Sequence, residues 1–90
     1  MSVSFDITES MLYREFSVEE SSAIRAISVL GKNVTIAYHS NPEKQYIMEG
    51  SVRFIPHIRA ILTNFNKDEH SMGTIINNAK KTEDLIKLEI

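Results

Sequence analysis

The sequence predicts an α+β fold: a small antiparallel β-meander with an amphipathic helix packed on one face and a second, C-terminal helix. Three observations carry this expectation. Val34-Thr35-Ile36-Ala37-Tyr38 is a β-branched run of strand formers. Gln45-Tyr46-Ile47-Met48 resumes in the same style after the turn-forming stretch His39-Ser40-Asn41-Pro42-Glu43, so the two runs read as an antiparallel hairpin. Residues 52–65 then switch to a helical period. Ninety residues with 42% hydrophobic content suffice for one core and leave no room for a second, so 1–90 reads as a single domain.

Along the chain, Val3, Phe5 and Ile7 alternate with polar residues as in a half-buried strand, and Leu12–Val18 contains a second short strand-like run. Residues 21–30 support two readings. As a helix, Ser17 and Glu20 form a capping box, Ala23, Ile24, Ile27 and Leu30 form a stripe, and Gly31 closes it. As a strand, Ile24, Ala26 and Ser28 face one way and Ala23, Arg25, Ile27 and Val29 the other. Local signals alone slightly favour the helix.

In 52–65, Phe54, Ile55, Ile58, Ile61, Leu62 and Phe65 share roughly one third of the helix circumference, and Arg53, His57, Ala60 and Asn64 lie opposite. Ser51 is the expected N-cap, and Pro56 is tolerable only because it sits near the first turn. Ser71 is expected to cap a second helix with Met72, Ile75, Ile76 and Ala79 on one face and Lys80-Lys81 at its C-terminal end. The last residues fit either a strand, with Ile86, Leu88 and Ile90 alternating, or a continuation of that helix.

Composition removes several function classes. With no cysteine there are no disulfides, thiolate nucleophiles or iron–sulfur ligands. The first residues lack a basic region followed by an apolar run, and no stretch approaches the ~18 apolar residues of a membrane span. The expectation is a cytoplasmic protein without membrane contact. The net charge of −2 is the wrong sign for a domain held to nucleic acid by counterion release alone. Twelve Ile against five Leu, with more Lys than Arg, is the composition of AT-rich coding, as in many bacteria and bacteriophages.

No catalytic or metal site is legible, and neither a cofactor nor an enzymatic activity is expected. His39, His57 and His70 are scattered, with no i, i+4 pair to hold a metal. The carboxylate pairs Glu19-Glu20, Asp68-Glu69 and Glu83-Asp84 sit in polar stretches, where solvated surface is the ordinary role. Ser21-Ser22 and Ser71 have no general base beside them in sequence.

Binding finds more support. Tyr38 and Tyr46 fall on neighbouring strands, and aromatics on an open sheet face can stack bases. Arg25, Lys32, Lys44, Arg53 and Arg59 are cations that could surround them, and the Arg53–His57–Asn64 face of the helix could meet phosphate or an acidic partner. The ordinary alternative is that the tyrosines plug the edge of the core and the cations are solvated surface; it is the favoured one for any single residue. The candidate partner-binding residues are therefore Arg25, Tyr38, Lys44, Tyr46, Arg53, His57 and Arg59.

Val18-Glu19-Glu20-Ser21-Ser22-Ala23-Ile24-Arg25-Ala26-Ile27, the strand 34–38, Tyr46, a helix, and Ser71-Met72-Gly73-Thr74-Ile75-Ile76-Asn77 together resemble the KTSC domain family over residues 18–81. That family is a short bacterial and phage module, also appended to some lysyl-tRNA synthetases. It shows a Ser-Ser-x-Ile start, a central Tyr-x-Tyr and a late Ser-x-Gly followed by an aromatic and Asn. Here the centre is Tyr46-Ile47-Met48, without the second Tyr, and Ile76 stands before Asn77 in place of the aromatic. The resemblance implies a strand at 22–29 within a three-stranded meander, and on that ground strand is chosen there over the local helix signal. It also implies RNA binding, which the missing Tyr weakens.

The expected function is non-enzymatic binding of a macromolecule. The favoured form is a small protein-interaction module, such as a phage-encoded modulator or inhibitor of a host protein, able to form a homodimer. The alternative is an RNA-binding module using a local basic and aromatic patch on the sheet.

Overall fold

The computed structural model of the chain describes residues 11–88; the strand expected around Val3, Phe5 and Ile7 lies outside them, as do Glu89 and Ile90. Five strands form one antiparallel meander in the order β1 (Leu12–Glu15), β2 (Ile24–Leu30), β3 (Asn33–Tyr38), β4 (Asn41–Gly50) and β5 (Leu85–Lys87). Between β4 and β5 the chain makes two helices, α1 (Phe54–Thr63) and α2 (Met72–Lys81). Both supply core residues to one face of the sheet, and among the described residues no helix lies on the other face. This is the predicted α+β architecture, with strand at both places where the sequence left a choice, 24–30 and 85–87.

The helix reading of 21–30 fails for a local reason. Ser17 and Glu20 do make a reciprocal capping box: the Ser17 N–H donates to Glu20 Oε1 (2.9 Å), and the Glu20 N–H donates to Ser17 Oγ (3.2 Å). It closes a single turn, after which Ser21 Oγ accepts from the Ile24 N–H and the chain becomes extended. Ile24, Ile27 and Val29, which follow, are β-branched, and residues 26–29 pair on both sides, with β1 and β3, so the sheet outweighs the cap.

The expected sidedness of β2 is corrected by a bulge. Ile24 pairs with Tyr38 and Ala26 with Ala37, so Arg25 is an extra residue on β2. The bulge puts Ile24 on the same face as Ile27 and Val29, and all three are fully buried in the core. Val34 and Ile36 of β3, Met48 of β4 and Leu85 of β5 complete the sheet side of that core. A second irregularity lies in β4: Ile36 pairs with Tyr46 but Tyr38 with Asn41, so three more residues run along β4 than along β3 in this interval. Asn41-Pro42-Glu43, expected as turn, therefore belongs to the strand, and the turn shrinks to His39-Ser40.

β2 and β3 are joined through Gly31-Lys32, with Leu30 opposite Asn33. Gly31 has φ 61° and Lys32 does not have positive φ, the pattern of a two-residue turn with glycine first. Gly31→Ala is expected to cost about 1–2 kcal/mol, because a Cβ meets the following carbonyl in the left-handed region. Urea denaturation checks this, and a loss below ~0.3 kcal/mol would show that the turn does not depend on that conformation.

α1 begins two residues later than expected, so its N-cap position is Arg53, without a side-chain cap, in place of Ser51; Ser51 still serves the preceding turn, its Oγ accepting from the Phe54 N–H (3.1 Å) and its carbonyl from the Ile55 N–H (3.1 Å). Pro56 is the third residue of the helix, where little hydrogen bonding is lost. Phe54, Ile58, Ile61 and Leu62 are buried and Ile55 is half-buried. Phe65 lies past the helix end yet still packs, edge-on to Phe16 at 4.9 Å with the Arg14 guanidinium 5.2 Å from its ring. In α2, Ser71 Oγ accepts from the Thr74 N–H, and Met72, Ile76 and Ala79 are buried. The helix closes with Glu83 at φ 66°, the Glu83 N–H on the Lys80 carbonyl and the Asp84 N–H on the Ala79 carbonyl. That is a Schellman ending with glutamate where glycine is usual.

Candidate functional site

The two tyrosines expected to mark an open face lie on the helix side of the sheet. Tyr46 pairs with Ile36, a core residue, and Tyr38 packs half-buried against the core. Their rings meet edge-on at 5.5 Å. Lys80 of α2 donates to the Tyr38 hydroxyl (3.0 Å) and holds its ammonium 5.5 Å from the ring. This is the arrangement of tyrosines at a core edge, with the polar end tied to a helix.

The seven candidate residues do not form one patch. Lys44 joins the tyrosines, its Nζ 5.2 Å from the Tyr46 ring, and shares with Lys87, Ile47 and Leu88 a hollow of about 210 Å³ at the end of β4 and β5. Arg25 lies elsewhere, on the helix-free side of the sheet beside Tyr13, Ala26 and Gln45, and donates from Nη2 to the Pro42 carbonyl (3.1 Å). Arg53 is committed to Asp84, from Nε to Oδ1 (2.9 Å) and from Nη2 to Oδ2 (3.1 Å). His57 is exposed at the mouth of a cleft of about 250 Å³ between α1 and α2, lined also by Phe54, Ile75, Asn78 and Thr82. Arg59 is half-exposed on α1, and its carbonyl accepts from Thr63 Oγ1.

The Ser21-Ser22 and Ser71-Met72-Gly73 stretches, far apart in sequence, line one cleft of about 270 Å³ together with Lys67 and His70. Ser21 and Ser71 there serve the backbone. Ser21 Oγ accepts from the Ile24 N–H; Ser71 Oγ accepts from the Thr74 N–H and donates to Thr74 Oγ1. His70 Nδ1 accepts from the Asn66 N–H (3.2 Å). These engaged groups hold the β1–β2 turn and the start of α2 in place. Among the described residues no three His, Cys, Asp or Glu side chains lie together as a metal would need, and no helix is long and apolar enough to cross a membrane.

The surface that sequence reasoning missed is the helix-free face of the sheet. In register across it run Tyr13, Ser28, Thr35 and Ile47, followed by Leu88, whose N–H donates to the Ile47 carbonyl. Beside this row lie Leu30 and Ile86. Tyr13 is 51% exposed, Ile47 42% and Ile86 56%, a level at which large apolar side chains are open to contact. The middle of the face is built from small residues, Ala26, Ser28, Thr35 and Ala37. The Tyr13 hydroxyl donates to Glu15 Oε2 (2.7 Å), and this hydrogen bond pushes the tyrosine pKa up. The missing signal was the side on which each strand shows its odd residues, which the Arg25 bulge decides.

Compared with known proteins, the chain matches no family model, no curated protein and no solved structure.

Proposed function

We propose that this domain is a non-enzymatic protein-binding module that meets its partner with the helix-free face of the sheet. One observation carries the reading: Tyr13, Leu30, Ile47 and Ile86, all more than two-fifths exposed, gather on the face that no helix of the described residues covers, with Arg25 beside Tyr13. Tyrosine and arginine set among apolar neighbours are the side chains that dominate protein interfaces. The face also has small residues at its centre, so a partner's side chains could approach the backbone closely. The modulator role expected of a small interaction module belongs to this reading, which the net charge of −2 and the missing second Tyr favour, whereas the KTSC resemblance favours RNA.

Tyr13→Ala and Ile47→Glu should each weaken capture of a native partner by about tenfold or more, with little effect on folding because both side chains are exposed. The measurement is a nuclease-treated pull-down from the native cell, wild type beside each variant, followed by titration of the captured protein. Capture that is indifferent to both substitutions would move the partner off this face.

RNA binding is the second reading, favoured by one feature. Lys44 stands over the Tyr46 ring, and Lys87 lines the same hollow at the end of β4 and β5, which joins cations to an aromatic. On this reading Tyr46→Ala should cost about 1–3 kcal/mol of binding, and each lost lysine–phosphate contact should lower the slope of log K against log[salt] by roughly 0.7. Dissociation constants weaker than ~100 μM for single-stranded RNA at low salt, about −5.5 kcal/mol, would exclude it.

A further inference from the structure

We infer that the hollow beside Arg25, in the middle of the open sheet face, is a carboxylate-binding site, and that the partner seats an Asp or Glu side chain, flanked by apolar residues, in it. That the carboxylate comes from a protein rests on the proposed function; the chemistry rests on the hollow itself.

Four strands assemble the site. The bulge makes Arg25 an extra residue of β2 and brings its side chain to the face that carries Tyr13, Ser28 and Gln45. Register sets Tyr13 beside Ser28 and Ser28 beside Thr35, and Gln45 closes the row from β4. Together they surround a hollow of about 40 Å³, with the cross-strand pair Ala26 and Ala37 too small to fill it.

The donors around the hollow lack acceptors. Arg25 pairs with no carboxylate among the described residues. Its Nη2 donates to the Pro42 carbonyl, but its Nε is buried with no hydrogen-bond partner. A buried N–H without an acceptor costs stability, so this guanidinium wants an anion that the described chain does not supply. Among the described residues the side chains of Ser28, Thr35 and Gln45 make no hydrogen bond either, and each can donate one.

Size and surroundings select the anion. The planar guanidinium fork matches the two oxygens of a carboxylate. The hollow holds about three water-sized groups, enough for a carboxylate and too little for a nucleic-acid base. Leu30, Ile47 and Ile86 are exposed on the same face, so a partner that covers them excludes water from the charge pair and strengthens it. Glu15, exposed on β1 and bonded to the Tyr13 hydroxyl, is a like charge that weakens the site without occupying it.

Two-dimensional NMR of the isotope-labelled 90-residue chain, titrated with the blocked peptide acetyl-Leu-Glu-Leu-amide, tests this. The peptide is expected to bind with a dissociation constant of about 1 mM and to shift the Arg25 Nε–H, the Gln45 side-chain amide and the Ser28 and Thr35 signals. Acetyl-Leu-Gln-Leu-amide, its neutral counterpart, should bind about tenfold more weakly. Arg25→Lys keeps the charge, loses the fork and should weaken the charged peptide about fivefold or more. Thr35→Val removes one donor away from the bulge and should weaken it about threefold, so the test holds even if Arg25→Lys disturbs the bulge. Glu15→Gln should tighten it about twofold. Absence of shifts at these residues up to ~10 mM peptide, or equal affinity for the two peptides, would overturn the inference. So would affinity that neither Arg25→Lys nor Thr35→Val changes. Dimethyl phosphate, a stand-in for the RNA backbone, is the remaining arm: tighter binding of it than of the charged peptide at these residues would overturn the carboxylate assignment in favour of phosphate. Failure here is distinct from failure of the proposed function. A peptide that does not bind leaves the effects of Tyr13→Ala and Ile47→Glu on partner capture in place, whereas capture indifferent to those two substitutions leaves the peptide's dependence on Arg25 in place.

Discussion

Ile58→Ala should remove about 2–5 kcal/mol of folding stability, close to the whole of what a 90-residue domain possesses. Ile58 is 0% exposed at the middle of α1, within the cluster that also contains Phe54, Ile61, Leu62 and the buried residues of β2 and β3. Truncation deletes three buried carbons and leaves a cavity between the helix and the sheet. The lining cannot close over it without moving α1, whose first residue is held by the Phe54 N–H to Ser51 Oγ hydrogen bond. Leu62→Ala, one turn later and 2% exposed, should behave alike. His57→Ala on the outer side of the same helix is the control, expected within about 0.5 kcal/mol of wild type. Urea denaturation followed by far-UV circular dichroism reads all three. A loss below ~1 kcal/mol for both core variants would mean that this face of α1 is not the core.

Why that face was readable from sequence, and other features were not, follows from the range of the forces involved. The apolar period of α1 repeats a local rule over three turns, so burial and sequence agree from Phe54 to Leu62. The Ser71 cap is local as well and forms, and Ser51, though two residues ahead of the N-cap position of α1, makes its hydrogen bond to the Phe54 N–H. Ser17 and Glu20 show the limit of local reasoning: their capping box is real, but β1 and β3 claim the following residues, and only the family resemblance pointed to the strand there. The bulge at Arg25 is a non-local fit between β2 and β3, and by moving Ile24 to the core face it decides which residues remain on the other. No pattern in the sequence encodes it, so the exposed set Tyr13, Ile47 and Ile86 stayed invisible. The same holds for Tyr38 and Tyr46. Their adjacency follows from the hairpin, but the side on which they lie depends on the register of β4, where three additional residues intervene. Asp84 was read as half of a solvated carboxylate pair because two of its three side-chain partners, Ser51 and Arg53, stand some thirty residues earlier in the chain.

Removal of the Asp84 carboxylate should lower the thermal midpoint at neutral pH by several degrees, and the deficit should shrink in acid. Asp84 ties two distant corners together. Its Oδ1 accepts from Ser51 Oγ (2.8 Å) and Arg53 Nε (2.9 Å), and its Oδ2 accepts from Arg53 Nη2 (3.1 Å) and Thr82 Oγ1 (2.7 Å). The Ser51 N–H also bonds to the Asp84 carbonyl (2.8 Å). The clasp therefore joins the β4–α1 corner to the α2–β5 corner and steadies the Glu83 residue held at positive φ beside it. The Arg53 guanidinium, then the Thr82 and Ser51 hydroxyls, hold the carboxyl well below the usual aspartate range. A folded-state pKa below the unfolded value of about 3.9 gives stability that is complete above that value and disappears as pH falls toward the folded one. Asp84→Asn keeps the size and loses the charge. Its midpoint should lie below the wild type at pH 7, and the gap should narrow steadily from about pH 4 to pH 2, where the Asp84 carboxyl of the unfolded wild-type chain takes up a proton that the folded one does not. Arg53→Ala should produce part of the same deficit and part of the same pH dependence, since it removes two of the four hydrogen bonds. Thermal melts of the three proteins at unit steps of pH make the comparison. A gap between wild type and Asp84→Asn that is as wide at pH 2 as at pH 7 would show that the carboxylate's charge contributes nothing to holding the corners together.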